Sequence, residues 1–347
     1  MIKIAIVGAG RMAGGHVTSF RKIRGCRVVA CCDLVPERAR DFAARHAIPA
    51  AFNDLDEMLA RADLDAVSNV TNDPAHCVTS LKIMAAGKHV LCEKPLATGY
   101  PDAKRMADAA RRAGVINMVN FSYRRSAALN RISRLVADGR LGRIMHFEAS
   151  YLQSWLTSDY WGAWRSTPSW LWRLSSKHGS NGVLGDVGVH ILDLVMFPLG
   201  NLRQVTCRLA TFDKAKNNRV GEYRLDANDS AMMIAEMECG ACGVIHASRW
   251  ATGHKNSLKL EIHGEKGAVA LDLDQSFDTY RVCIGKDVNQ VAWREQHAPK
   301  VLNNQEAFIQ SIRTGVNAQP DFAAGARVQK VLDACFESDA RGRTVKI

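Results

Sequence analysis

The opening stretch, MIKIAIVGAGRMAGGH, constrains the fold more than any other part of the chain. Ile2, Ile4, Ala5, Ile6 and Val7 form a short apolar run with β-branched weight, which reads as a strand buried on both faces. It ends in Gly8-Ala9-Gly10-Arg11-Met12-Ala13, a G-x-G-x-x-A turn, and helix-compatible residues follow from Met12 to Lys22. In that arrangement Gly8 takes the tight turn, Gly10 lets the backbone approach a pyrophosphate, and small Ala13 lets helix and strand pack closely. The N-terminus of the helix then offers N–H groups and a positive dipole end to the phosphates.

A tight glycine turn alone occurs in many α/β chains, and Asp33 is what narrows the reading. A second apolar run, Cys26 to Cys32, ends at this acid. It falls about 20 residues past the loop, where a carboxylate receives ribose hydroxyls. An acid there repels a 2′-phosphate, so NAD is expected in preference to NADP, with Arg38 as the nearby residue that would favour the phosphate. Capping the following helix is the alternative role for Asp33.

Downstream, helical segments at 36–46, 54–62, 75–86 and 101–113 alternate with short strands at 65–70, 89–92 and 115–121. Such alternation implies an α/β domain with a doubly wound parallel sheet, assigned to residues 1–122. Past Phe121 come a helix at 128–137, a longer alternating strand at 143–152 and several alternating runs between Leu202 and Val291. Helices at 304–314 and 322–339 close the chain. Residues 123–347 are therefore expected to form a second, α+β domain with a largely antiparallel sheet that is half exposed.

The 347 residues, 47% hydrophobic and 23% charged, suffice for two domains. No apolar run reaches the length of a membrane span, and Met1 leads straight into a strand, so a cytoplasmic protein without a membrane partner is expected. The ten cysteines are scattered, many within apolar runs. Cys239-Gly240-Ala241-Cys242 falls between two strand patterns, which predicts a hairpin turn rather than a redox or zinc site, and no metal is expected. The net charge of +11 comes from dispersed Lys and Arg residues. That favours an anionic cofactor, and an acidic substrate, over nucleic acid.

Two groups of residues carry chemistry. Glu93-Lys94-Pro95 lies at the carboxyl end of a parallel strand, where doubly wound folds place ligands. A lysine there can hydrogen-bond a substrate hydroxyl and stabilise developing alkoxide charge. The second group is Gly185-Asp186-Val187-Gly188-Val189-His190-Ile191-Leu192-Asp193. Asp186 and His190 share a helix face, so the carboxylate can orient the imidazole, and a histidine suits the removal of a hydroxyl proton. A satisfied structural pair is the alternative. Asp193 is either an orienting partner or a solvated helix acid.

GAGRMAGGH, AAGKHVLCEKP and GVLGDVGVHILD, in that order, resemble the glucose-fructose oxidoreductase and inositol dehydrogenase (Gfo/Idh/MocA) family, and SLKLEIHGEKGAVALD resembles its C-terminal sheet. The resemblance implies an NAD(P)-binding Rossmann domain and an α+β domain whose open sheet is used for homodimer or homotetramer contacts. It makes Lys94, Asp186 and His190 the catalytic residues, with His190 as acid/base. Gly8, Gly10, Arg11, Met12, Asp33, Arg38, Thr71, Asn72, His76, Glu93 and Lys94 would face the cofactor. Thr71 and His76 match the family, while Asp73 replaces its usual asparagine.

Phe121-Ser122-Tyr123-Arg124 also matches a family segment, with Ser122 in place of Asn. Tyr123, Arg124, Arg165 and Trp172 join Lys94, Asp186 and His190 as candidate substrate contacts. The tryptophans between Ser154 and Asn181 either line a sugar cleft or pack between domains. The implied activity is hydride transfer between a secondary hydroxyl of a sugar, polyol or cyclitol and NAD. An NAD-dependent glycosidase acting by transient oxidation and elimination, and a non-catalytic dinucleotide sensor, are the alternatives.

Overall fold

The computed structural model describes residues 1–347, the side chains of Pro168 and Ser169 excepted. It divides into two compact units, one of residues 1–122 with 302–329 and one of residues 123–301 with 330–347.

In the first unit, strands and helices alternate as β1 (Ile2–Val7), α1 (Ala13–Arg21), β2 (Cys26–Cys32), α2 (Pro36–Arg45), β3 (Ala50–Phe52) and α3 (Leu55–Arg61). They continue as β4 (Ala66–Asn69), α4 (His76–Ala85), β5 (His89–Cys92), α5 (Tyr100–Ala113) and β6 (Asn117–Val119). The strands form one parallel sheet in the order β3-β2-β1-β4-β5-β6. Order reverses between β1 and β4, and in such sheets ligands bind at the carboxyl ends beside that point. Local signals set the ends of the helices. Asp54 caps α3 by accepting from the Glu57 N–H, and Gly114 ends α5 in the left-handed conformation.

The assignment of all of 123–347 to the second domain differs from the structure, in which Leu302–Gln329 belongs to the first unit. Phe308 and Ile309 of α10 (Asn304–Thr314) are buried in one core with Ile4, Ile6, Val17, Phe20 and Leu91. Burial of a side chain of this size contributes about 1.5–3 kcal/mol, which fixes the helix there. Helical periodicity reveals that a face is buried but not which core receives it. β3 went unread because three residues are too few for a pattern.

The second unit contains α6 (Ala127–Ala137), β7 (Ile144–Leu152), α7 (Pro168–Leu171), α8 (Val189–Leu199), β8 (Leu202–Ala210) and the short pair β9 (Arg219–Val220) and β10 (Tyr223–Arg224). It continues through β11 (Ser230–Met237), β12 (Cys242–Ser248), β13 (Ser257–Gly264), β14 (Gly267–Asp272), β15 (Thr279–Ile284), α9 (Lys286–Gln290) and β16 (Arg294–His297). After α10, α11 (Phe322–Arg341) starts in the first unit and ends in the second, followed by β17 (Val345–Lys346).

Nine strands make a sheet in the order β16-β15-β14-β13-β7-β12-β11-β8-β17, antiparallel throughout except for the parallel pair β7 and β12. Helix α8 is apolar on nearly every side, and lies buried against β7, β12 and β13. Outward-facing Met232, Ile234 and Val244 on the other side of β11 and β12 are exposed. The expected hairpin at Cys239-Gly240-Ala241-Cys242 joins β11 to β12, with both cysteines exposed. No helix of the described residues is long and apolar enough to cross a membrane.

Candidate functional site

At the carboxyl end of β1, Gly8 has φ +89°, and a Cβ there would lie 2.5 Å from the Val70 carbonyl oxygen. Only glycine fits both conditions. At Gly10 an added Cβ would meet nothing within 4 Å, so the backbone is open to an approaching ligand. Ala13 is fully buried, while Arg11 and Met12 are exposed on the turn.

Asp33 accepts the Ala9 N–H at 2.9 Å and the Val35 N–H at 3.0 Å, so backbone from the glycine turn fixes its carboxylate. The N-cap of α2 is Val35, whose N–H is the one Asp33 accepts, so the same carboxylate also steadies the start of that helix. Arg38, largely exposed, points one guanidinium nitrogen at Asp33 across 3.4 Å. An open glycine turn beside an oriented carboxylate fits the pyrophosphate and ribose of a dinucleotide.

After β4, the Thr71 hydroxyl donates to Asn69 Oδ1 at 2.7 Å, and exposed Asn72 leads into a 3-10 turn, Asp73–Ala75. His76 follows with no exposed surface, its Nδ1 2.7 Å from the Pro95 carbonyl and its Nε2 3.1 Å from the Thr71 carbonyl. Burial disfavours a charge on the ring, but Cys92, Asp73 and the Pro95 carbonyl outweigh it and raise the pKa to about 10. This corrects the expectation of a direct cofactor contact, because the ring has no surface to present.

Glu93 is also largely enclosed, at 8% exposure. Its carboxylate faces His16 Nε2 at 2.8 Å, accepts Asn120 Nδ2 at 2.5 Å and accepts the Lys94 N–H at 3.1 Å. His16 Nδ1 in turn meets Ser68 Oγ at 2.8 Å, and Asn304 donates to Asn120 at 2.9 Å. Burial works against the Glu93 charge, yet His16, Asn120 and Lys94 together hold its pKa down to about 2. Glu93 therefore anchors the backbone of Lys94. His16 and Asn120 carry no role that the sequence reveals; a polar residue inside a segment that packs on a buried sheet is the available signal.

In the second unit, Asp186 sits in a π-helical turn, Leu184–Gly188, that runs directly into α8 and His190. Arg249 Nη2 donates to Asp186 Oδ2 at 2.9 Å, and Arg173 Nε lies 3.5 Å from the same oxygen. Arg249 was not anticipated. Its side chain is wholly buried, donates to the Arg173 and Gly182 carbonyls at 3.2 Å each and lies over the Trp155 ring. Burial lowers its pKa, with Asp186 and Asp229 opposing that shift.

The His190 ring stands edge-on to Tyr123, with centroids 5.0 Å apart, and 6.4 Å from Tyr151. Those tyrosines and Asn256 close a ring of hydrogen bonds: Asn256 Nδ2 to Tyr123 at 2.9 Å, Tyr123 to Tyr151 at 2.6 Å, and Tyr151 to Asn256 Oδ1 at 2.8 Å. Gln153 adds a donor to Asn256 Oδ1 at 2.8 Å. Burial, Tyr123 and Asp186 push the Tyr151 phenol well above its usual range, so it stays protonated. In this ring the Tyr123 hydroxyl proton goes to Tyr151, and what Tyr123 offers His190 is an aromatic wall.

Arg124 donates twice to Asp193, at 2.8 and 2.7 Å, and lies 3.8 Å from the Phe197 ring centroid. That buried pair joins the turn at Ser122–Arg125 to α8, which gives Arg124 a structural task and shows that Asp193 is not a solvated acid. Trp155 and Trp164 are buried in a cluster with Leu156, Leu171, Leu174 and Leu225, so the tryptophan-rich segment packs within the second unit. Arg165 is exposed over Trp164, and Arg173 stacks on Trp172 at 4.6 Å. Among the described residues no group of three or more His, Cys, Asp or Glu could hold a metal ion.

Residues 2–121 match the oxidoreductase family with NAD-binding Rossmann fold, and residues 129–270 match the GFO/IDH/MocA C-terminal domain. The chain belongs to the GFO/IDH/MocA oxidoreductase family. As a member it is an NAD(P)-dependent dehydrogenase. It is 27% identical to a levoglucosan dehydrogenase of Pseudarthrobacter phenanthrenivorans, with 100% of this chain and 98% of the relative covered. It is 32% identical to a 1,5-anhydro-D-fructose reductase of Ensifer adhaerens over 78% of this chain and 75% of the relative. An inositol 2-dehydrogenase of Rhizobium meliloti is 26% identical, covered over 99% of its length and 100% of this chain. A levoglucosan dehydrogenase solved with NADH and L-sorbose superposes with a TM-score of 0.88 at 25% identity, covering 100% of this chain and 98% of that one.

Proposed function

We propose that this member of the GFO/IDH/MocA family oxidises a secondary hydroxyl of a sugar, polyol or cyclitol with NAD. The observation that carries the reading is the Asp186–His190 segment, a buried histidine one helical turn beyond a carboxylate that two arginines hold in place. Full-length similarity to levoglucosan and inositol dehydrogenases supports the substrate class. The backbone-fixed Asp33 supports NAD over NADP, since a 2′-phosphate beside this carboxylate would be repelled.

Gly8, Gly10 and Asp33 would hold the dinucleotide, which when bound supplies the hydride acceptor. His190 takes the proton from the carbinol oxygen as the hydride leaves carbon. Asp186 orients the hydroxyl and supports the imidazolium that results, and Lys94 contributes a hydrogen-bond donor to the substrate. We also propose that a second copy of the chain covers the open face of the nine-stranded sheet.

The test is appearance of the NADH absorbance band when enzyme and NAD meet levoglucosan, myo-inositol, D-glucose and sugar acids in turn. Reduction with at least one of them is expected, and His190→Ala should lower kcat by about 10²- to 10⁴-fold while NADH still binds. No reduction by any of them, with NADH binding intact, would overturn the reading.

A further inference from the structure

We propose that His76 is an imidazolium serving as a positioning residue for Lys94, clasping the loop after β4 to the loop after β5. A neutral imidazole has one N–H and one lone pair. Here both ring nitrogens lie within hydrogen-bond distance of carbonyl oxygens, 2.7 Å from Pro95 and 3.1 Å from Thr71, and a carbonyl can only accept. Only the doubly protonated ring donates to both; in either neutral tautomer one of the two carbonyls faces a lone pair. The titratable side chains that bear on the ring are Cys92 at the end of β5, which also hydrogen-bonds it, and Asp73 in the turn before α4; the Asp73 carboxylate favours the ring's charge, and Cys92 does so by charge only as a thiolate.

The clasp has a specific load. Thr71, whose carbonyl takes one proton, is itself held through its hydroxyl by Asn69 Oδ1, and Asn69 Nδ2 reaches the His76 carbonyl at 3.2 Å and Ser80 at 2.9 Å. That makes the loop after β4 a rigid base. The other proton fixes the carbonyl of Pro95, the residue after Lys94, while the Glu93 carboxylate fixes the N–H of Lys94 itself. The lysine backbone is thus tied on both sides by charge-assisted hydrogen bonds. A residue needed only for packing could be an apolar ring, which would bury no charge.

The inference rests on the proposed role of Lys94, and the test separates the two. In protein labelled with ¹⁵N-histidine, the His76 ring signals are identified by their loss in His76→Gln. Both ring nitrogens should show directly bonded protons and stay unchanged between pH 6 and about 9, whereas a ring that titrates below pH 8 overturns the proposal. In turnover of whichever of levoglucosan, myo-inositol and D-glucose reduces NAD fastest, His76→Gln should lower kcat about 10- to 100-fold, with NADH affinity within about threefold of wild type. In a Lys94→Ala background the same substitution should add little. An equal further loss there would show that His76 acts elsewhere and overturn its link to Lys94. If Lys94→Ala leaves kcat unchanged, the role of Lys94 fails and the positioning role with it, while the ring signals still decide the charge.

Discussion

Glu93 is a buried carboxylate kept ionised by its neighbours, and its titration can be isolated. Its folded pKa of about 2 lies below its ordinary value of 4.5. A depressed acid contributes stability that is present above the ordinary pKa and lost as pH falls toward the folded one. Glu93→Gln keeps the shape but forfeits the charge facing His16, so at neutral pH it should cost about 1–3 kcal/mol. Calorimetry on both proteins should find the gap in Tm narrowing as pH falls from about 4.5 toward 2. A gap that stays constant over that window would mean that the carboxylate is not held ionised by the fold. His16 and Glu93 lie 77 residues apart, on α1 and at the end of β5, which is why neither could be paired from sequence.

At the scale of elements, the strand ends were legible where the signal is local. β1 with its glycine turn, β2 with Asp33 and β5 with Lys94 each announce themselves within a few residues, and the parallel sheet follows from their alternation with helices. What stayed hidden depends on register between distant strands. β12 pairs in parallel with β7, and its end delivers Arg249 to Asp186, 63 residues away in the chain. Period-two alternation specifies a face but not a neighbour. The tie between β12 and the π-helical turn predicts that Arg249→Met destabilises the protein by about 3 kcal/mol or more, because it removes the donor from Asp186 and from two buried carbonyls. Arg249→Lys should recover only part of that, having one point charge where the guanidinium makes a fork. Urea unfolding measures both, and a loss below about 1 kcal/mol in the Met variant would reduce Arg249 to a space-filler.

At the scale of the whole molecule, one side of the nine-stranded sheet presents exposed apolar residues. Ile234, 66% exposed, stands directly opposite Val244 on β12 and Thr206 on β8, and Met232 lies beside them opposite His246. Single exposed apolar residues are ordinary, but these adjoin on one flat face. Glu148 and Glu261 also face each other across β7 and β13, with Arg281 3.6 Å from Glu261 and His146 3.6 Å from Glu148 offsetting their repulsion. A second copy seated on this face would remove the apolar rows from water. Ile234→Asp leaves the inward face intact, so Tm of the subunit should change little. The same charge at a buried interface would be unpaired. Light scattering after gel filtration should therefore find wild type as an even-numbered assembly and Ile234→Asp as a smaller one. A monomeric wild type, or a variant of unchanged mass, would leave the sheet face to solvent and overturn the proposal that a second copy covers it.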